Sequence, residues 1–243
     1  MSNRYLGGFV TDTPTQPTVS SAPGVWTLSQ ASQAVGNGIW PASGSTITNS
    51  LRFRSSASAY LNRTPGSAGN QQKLTFSCWV KRGSLGAYQR LLSVWYNSGS
   101  NNADIRFTSS DTLSVENNGT ISLVTASVFR DPSAWYHLVV AIDTTQATSA
   151  NRVFIYVNGV AQSISGTYPT QNLNTEFNTA QKHTISSYNG SGEYFDGYLA
   201  EINFIDGQAL APTYFGQFNA TTGVWQPIAY TGTYGTNGFH LNF

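Results

Sequence analysis

The residues able to do chemistry are few and widely separated. Retaining hydrolysis of a glycosidic bond needs a nucleophile and an acid about 5 Å apart, which alternate positions on one strand face can provide. The chain has 11 acids in 243 residues. Their nearest approach to such a pair is Glu201-Ile-Asn203-Phe-Ile-Asp206, where the middle position is an amide and Asp206-Gly207 reads as a turn. Glu193 and Asp196 flank an aromatic pair but straddle opposite faces or a loop. The histidines, His137, His183 and His240, all fall in expected strands, and no His-x-His, Glu-x-x-His or Cys/His cluster offers zinc its ligands. No serine occupies a nucleophile elbow, and no glycine run cradles a phosphate ahead of a helix. The single cysteine, Cys78, lies in an apolar strand and reads as a small buried hydrophobe. No catalytic residue is assigned, and the chain reads as a non-enzyme.

What remains is the chemistry of recognition. Sugars are bound by exposed aromatic rings flanked by amides and acids. Two loops carry that mixture: Trp95-Tyr96-Asn97-Ser-Gly-Ser-Asn101-Asn102, and Tyr188-Asn189-Gly-Ser-Gly-Glu193-Tyr194. The glycan-contacting candidates are therefore Trp95, Tyr96, Asn97, Tyr188, Asn189 and Tyr194. Burial of the same rings in the core is the competing reading.

The elements that must hold these loops are strands. Leu74, Phe76, Cys78 and Val80 alternate with Thr75, Ser77, Trp79 and Lys81, placing one set on one face. Similar runs lie at 51–54, 91–96, 103–107, 112–116, 120–124, 152–160, 183–187, 195–205 and 238–243, and residues 135–142 form the strongest central strand. Asn158-Gly159 supplies the two positive φ angles of a tight hairpin. Ala211–Gly216 reads as one helical turn. About a dozen strands with almost no helix describe an all-β, antiparallel two-sheet jelly-roll sandwich over 46–243. Without crossover helices, a parallel α/β sheet is excluded.

Residues 1–45 differ. Proline and glycine punctuate them, and one short helix is expected after Thr27, carrying Leu28, Ala31, Ala34 and Val35 and ended by Gly36. Trp26, Leu28, Ile39 and Trp40 mark this segment as an extended arm that docks on a partner, or else on its own sandwich.

Composition bounds the partners. Hydrophobic residues make up 40% of the chain and charged ones only 9%, against about 25% charged in ordinary soluble domains. With 13 Phe, 13 Tyr and 6 Trp, the chain has a packed core rather than the profile of disorder. The net charge is +1 and the 12 basic residues are dispersed, so no phosphate-neutralising face for nucleic acid is present. No run reaches the roughly 20 apolar residues of a membrane span. The first residues lack the apolar stretch of a secretory signal, so the chain is expected to be made and assembled in a cytoplasm.

The succession Phe76-x-x-Trp79-Val80, Trp135-Tyr136-His137-Leu138-Val139, Ile155-Tyr156-Val157-Asn158-Gly159 and Phe195-Asp196-Gly197-x-Leu199-Ala200-Glu201-Ile202 resembles laminin-G-like and pentraxin-like domains of the concanavalin A-like superfamily. Ile205–Leu210, Gly223–Pro227 and Tyr234–Phe239, with Thr13-Pro14 and Ala22–Leu28, are similar to a narrower group met in structural and tail-fibre-type phage proteins. The resemblance implies a protein on the exterior of a virion, as capsid decoration or as a tail or fibre component. Its partners would be other virion proteins and copies of itself, with a trimer the first guess, and a host surface polysaccharide is its expected contact. The alternative is a receptor-binding lectin module, and a glycan depolymerase comes third. No cofactor is required. The resemblance brings in calcium, which relatives hold at the sandwich rim and which takes 6–8 oxygens in loose geometry; the candidate ligands are Asp104, Asp111, Asp131, Asp143 and Asp206, each also readable as a solvated turn residue.

Overall fold

A computed structural model describes residues 16–18, 26–37, 39, 47–95, 102–220 and 222–243. The chain divides into two units, 1–46 and 47–243.

In the first unit, helix α1 spans Leu28–Gly36. It opens with a reciprocal cap: the Gln30 N–H donates to Thr27 Oγ1 (3.3 Å) and the Thr27 N–H donates to Gln30 Oε1 (2.9 Å), which satisfies two donors that a helix start leaves without partners. Ala34 is buried, but Leu28 is 89% exposed. Trp26 and Ile39 are half-buried, and Trp40 lies outside the described residues.

The second unit is all strand with short 3-10 turns. In chain order the strands are β1 (Leu51–Phe53), β2 (Leu61–Arg63), β3 (Lys73–Arg82), β4 (Gln89–Trp95), β5 (Asn102–Phe107), β6 (Thr112–Asn117), β7 (Ile121–Val128), β8 (Tyr136–Asp143), β9 (Val153–Val157), β10 (Val160–Ala161), β11 (Ile164–Thr167), β12 (His183–Ile185), β13 (Gly197–Asp206), β14 (Gly216–Phe218), β15 (Trp225–Pro227) and β16 (Phe239–Leu241). The first sheet runs β1-β13-β3-β8-β9-β10, with β16 also on β13. The second runs β11-β7-β6-β5-β4-β12-β2, and β14 and β15 form a separate hairpin. Every pairing is antiparallel. The expected helical turn near 211–216 is a 3-10 turn over Pro212–Tyr214.

The core between the sheets follows the two-residue alternation. Leu74, Phe76, Cys78 and Val80 of β3 and Leu138, Val140 and Ile142 of β8 meet Leu92, Val94, Ile105, Val115 and Leu123 of the second sheet. Full burial of each such side chain contributes on the order of 1.5–3 kcal/mol. Burial also pushes the Cys78 thiol pKa up, which keeps it an unreactive hydrophobe.

The middle of the outer face of the first sheet is buried as well, while Tyr198 and the adjoining Trp135 stay exposed at one end of it. Trp79 and Ala200 pack with Trp225 and Ile47, while Val139 and Ile205 pack with Phe215, Leu210, Tyr230 and Tyr234. The cover is the chain's own 207–236 segment. This explains why β8 reads as a nearly unbroken apolar run: its inward residues meet the second sheet and its outward ones meet the cover.

Trp225 locks that cover. Its ring lies against Gly159 and Gly216, where an added Cβ would come within 2.4 Å of the indole at either position. Asn158 and Gly159 have φ of 50° and 79°, the pair of positive angles that the hairpin demands, so Gly159 serves both the turn and the slot. The Trp225 Nε1–H donates to His137 Nδ1 (3.0 Å). An indole nitrogen can only donate, so the His137 proton sits on Nε2 and is given to Ser77 Oγ (3.0 Å). The imidazole also stacks on Trp79, centroids 4.9 Å apart.

Burial drives the His137 pKa from an ordinary 6.5 down to about 3. Between those values the unfolded chain takes up a proton that the folded chain refuses. His137 therefore contributes stability that is fully present above about 6.5 and is lost as pH falls toward 3, at up to about 1.4 kcal/mol per pH unit. Gln can accept from Trp225 and donate to Ser77 without titrating. Chemical denaturation of wild type and His137→Gln from pH 7 to pH 3.5 should show a stability difference that shifts steadily in favour of the variant as pH falls; a difference constant with pH would contradict the buried neutral imidazole.

Candidate sugar-binding face

With the middle of one outer face covered, the outer face of the second sheet is the broader surface left for recognition. The β4–β5–β6 register builds it. Opposite Ala103, Ile105 and Phe107, which point to the core, Asn102, Asp104 and Arg106 point outward. They face Trp95, Ser93 and Arg90 of β4 on one side, and Asp104 and Arg106 face Glu116 and Ser114 of β6 on the other.

The centre is an ionic cluster. The Asp104 carboxylate is fully buried between the Arg90 and Arg106 guanidiniums; Arg106 Nη1 lies 3.2 Å from Oδ1, and Arg90 Nη1 is in direct contact with Oδ2. Asn102 Nδ2 donates to Asp104 Oδ2 (3.1 Å). Desolvation raises the Asp104 pKa to about 6, with the two arginines opposing that rise. Arg90 Nε also donates to Glu193 Oε2 (2.6 Å), and Arg106 Nη2 lies 3.5 Å from Glu116 Oε1. Each guanidinium is capped by a ring: Arg90 sits 4.6 Å from the Tyr188 centroid and Arg106 5.1 Å from that of Tyr88. Such stacking holds a cation in a fixed pose at partly desolvated sites.

A polar depression of about 430 Å³ opens beside this cluster, lined by Asn102, Arg106, Glu116, Asn118 and Gly119. It offers guanidinium and amide donors together with carboxylate and amide acceptors, the groups that read sugar hydroxyls.

The loop from Tyr188 to Tyr194 lies along β4. The Arg90 N–H donates to the Glu193 carbonyl (3.0 Å) and Ser93 Oγ donates to the Ser187 carbonyl (2.8 Å). Lys182 Nζ donates to the Asn189 carbonyl (2.9 Å), and the Trp95 N–H reaches the Lys182 carbonyl at 3.4 Å. Trp95, Tyr188 and Asn189 are thus brought to the same sheet face. Tyr194 turns away: its ring packs on Tyr60 and its hydroxyl donates to the Gly190 carbonyl (2.7 Å), bracing the loop. Tyr96 and Asn97 lie outside the described residues. Sequence reasoning passed over Tyr88, Arg90, Asp104, Arg106 and Glu116 as members of this face. The signal was the alternation Asn102-x-Asp104-x-Arg106 in a chain poor in charge.

The acids that come nearest to a pair in the sequence each have partners of their own. Glu201 takes φ of 47° at a bulge in β13, where the pairing shifts between Ala200 and Asn203, and its Oε2 contacts His240 Nε2 at 2.7 Å. Asp206 is buried, accepting from Asn178 Nδ2 (2.6 Å) and from the Asn70 and Asn237 N–H groups (2.8 and 3.1 Å). Glu193 is spent on Arg90, and Asp196 on Arg52 (2.5 Å).

The calcium candidates do not fit a common cation site. Asp104 and Asp206 are strand residues rather than loop residues, and so is Asp143 at the end of β8. Asp104 is neutralised by two arginines, and Asp111 by Arg82 and Arg130 at 3.0 Å each. Asp143 holds Lys73, Thr145 and Gln146, Asp131 holds Ser133, and Asp206 is saturated by amide donors. Among the described residues no three His, Cys, Asp or Glu side chains converge on a metal-sized site. Among the same residues no helix is long and apolar enough to cross a membrane.

Comparison with known proteins identifies the architecture. The profile of the concanavalin A-like lectin/glucanases superfamily, in its laminin G form, matches residues 55–213. The chain belongs to this superfamily. No curated protein matches it in sequence. A Bacteroides ovatus protein proposed to bind carbohydrate superposes with a TM-score of 0.50 at 13% identity, covering 72% of this chain and 47% of its own. The NanB sialidase of Streptococcus pneumoniae, in complex with Optactamide, gives 0.50 at 17% identity, covering 70% of this chain and 28% of its own. The heptameric pentraxin of Limulus polyphemus gives 0.48 at 13%, covering 82% and 90%. This chain therefore spans about half the length of the Bacteroides protein. At these identities the likeness establishes the lectin-like fold.

The ionic cluster yields a direct test of its own geometry. Removing Asp104 leaves two largely buried guanidiniums without their shared counter-ion, a loss that typically costs about 3–5 kcal/mol. Asp104→Ala should lower unfolding stability in urea by that amount; a change below about 1 kcal/mol would mean that the arginines are solvated and the face is not built as described.

Proposed function

We propose that this concanavalin A-like domain is a sugar-binding module of lectin type, and that its binding surface is the outer face of β4, β5 and β6 with the 188–194 loop. One observation carries the reading: the domain covers the middle of one sheet's outer face with its own chain and carries on the other a polar depression lined by the ring-capped Arg106, with Arg90 buried beneath Tyr188 beside it. Fixed guanidiniums give paired hydrogen bonds to vicinal hydroxyls or to a carboxylate, and Tyr88, Tyr188 and Trp95 supply faces on which a pyranose ring stacks. The carbohydrate-binding role proposed for the Bacteroides relative supports the same reading. Glu201 is taken up by His240, Glu193 by Arg90 and Asp206 by asparagine donors, so binding without cleavage is the reading this face supports.

Service on a phage exterior, docked through Trp26, Leu28, Ile39 and Trp40 to other virion proteins or to further copies of the chain, rests on the sequence resemblance of Ile205–Leu210 and Gly223–Pro227. The exposed Leu28 is in keeping with such an arm.

Screening the full chain against an array of bacterial surface polysaccharides should return at least one ligand. Tyr188→Ala and Arg106→Ala should each weaken it tenfold or more, while Trp135→Ala, just ahead of β8 and packed on Tyr198 of the other sheet, should leave it within twofold. Loss of binding in Trp135→Ala with none in the other two would move the site to the opposite face.

A further inference from the structure

A second cavity lies inside the sandwich and is unlike the sugar-binding face in every respect. It has a volume of about 420 Å³ and opens where β2, the free edge of the second sheet, faces β16 on the edge of the first. Its walls are Leu61, Leu92 and Ile185 from one sheet and Phe204, Phe239 and Leu241 from the other. This is the size class of small-ligand sites, on the order of 300–1,000 Å³, at the end that admits a single slender molecule.

The deep polar groups are already satisfied among themselves. Asn178 Nδ2 donates to the Asn70 carbonyl (3.1 Å) and to Asp206 Oδ1 (2.6 Å). Asn237 Nδ2 donates to the Ser67 carbonyl (2.9 Å) and to Asn178 Oδ1 (3.0 Å). His183 Nδ1–H donates to the Gln181 carbonyl (2.8 Å), which leaves Nε2 to accept from the Asn178 N–H (3.1 Å). Burial, with the nearby Arg63 charge, holds His183 neutral by lowering its pKa. The Asn178, Asn237 and His183 side chains therefore have no donor left with which to recognise a polar group.

The mouth differs. Arg63 of β2 is exposed, and it is held in place by a bond from Nη1 to the Asn237 carbonyl (2.9 Å) and by its stack 5.8 Å from the Phe239 centroid. Among the described residues no carboxylate lies within ion-pair distance of it, whereas Arg52, Arg82, Arg90, Arg106 and Arg130 all have one. A guanidinium has five N–H donors in a rigid fork, and here most remain to be used at the rim of an apolar slot. We propose that the cavity binds an amphiphile with one unbranched acyl chain and a carboxylate head, the chain lying between the sheets and the head on Arg63. Apolar walls, with the polar groups between them already paired, select the chain, and the unpaired cation selects the head.

The test is titration of the full chain with decanoate, followed by calorimetry and by the melting temperature. Decanoate should bind at one site and raise the melt, and decylamine should bind at least tenfold more weakly because its head repels Arg63. Arg63→Gln should weaken decanoate at least tenfold and remove the preference over decylamine. Ile185→Trp, which fills the slot, should abolish binding; Leu61→Trp, at the half-buried wall, does the same with less risk to folding, and retained polysaccharide binding reports that either variant is folded. No binding of decanoate by the wild type, or binding unchanged in both tryptophan variants, overturns the proposal. Equal binding of both amphiphiles overturns the role of Arg63.

Discussion

The Trp225 indole rests between two glycines and gives its one hydrogen to a histidine buried under it, and most of the domain is arranged around that contact. His137 can accept only as the neutral Nε2–H tautomer, which in turn requires Ser77 on the neighbouring strand as acceptor. The contact ties β3, β8, the Asn158-Gly159 hairpin and the β14–β15 hairpin together through three side chains and two missing Cβ atoms. Because it is polar at its centre, it has one register. A one-residue slip of β8 would turn His137 into the core and Leu138 under the indole.

That single register decides which surface can recognise anything. With the 207–236 cover held down, the middle of the first sheet is buried on both faces and resembles the middle layer of a three-layer domain. The second sheet keeps its outer face, where a chain with 9% charged residues concentrates Arg90, Asp104, Arg106, Glu116 and Glu193. Burying Asp104 is unfavourable in itself, as its raised pKa reflects. What it secures is the placement of two arginines, Arg90 buried beneath Tyr188 and Arg106 partly exposed beneath the exposed Tyr88. Fixed position, rather than net stability, is the best-attested return on a buried ion pair.

The fold was largely legible in the sequence because its signals are local. The alternation in Leu74–Lys81, the unbroken run at 135–142 and the Asn158-Gly159 turn each follow from side-chain direction or backbone φ alone. Three-residue strands were harder: β2, β14 and β15 are too short for a period to register, and they exist because a neighbour pairs with them. The exact ends also moved, as in β7, which runs on to Val128. The recognition face was legible only in part. Tyr188 and Trp95 were visible as aromatic residues among amides, but Tyr194 has the same neighbours and faces Tyr60. Arg90 and Arg106 are 16 positions apart and meet only through the β4–β5 register. Asp206, which ends in a turn-like Asp-Gly, is held by three asparagine groups from segments 31, 28 and 136 positions away, a distance no spacing rule reaches.

Backbone hydrogen exchange of the full chain, measured with and without a bound polysaccharide fragment, tests most directly whether the second sheet, and not the covered first one, is the binding surface. Slowed exchange should be confined to residues 88–95, 102–118 and 182–194, with 207–236 already protected and unchanged. New protection over 207–236 or around Trp135 and Tyr198, with none along β4 and β5, would contradict it.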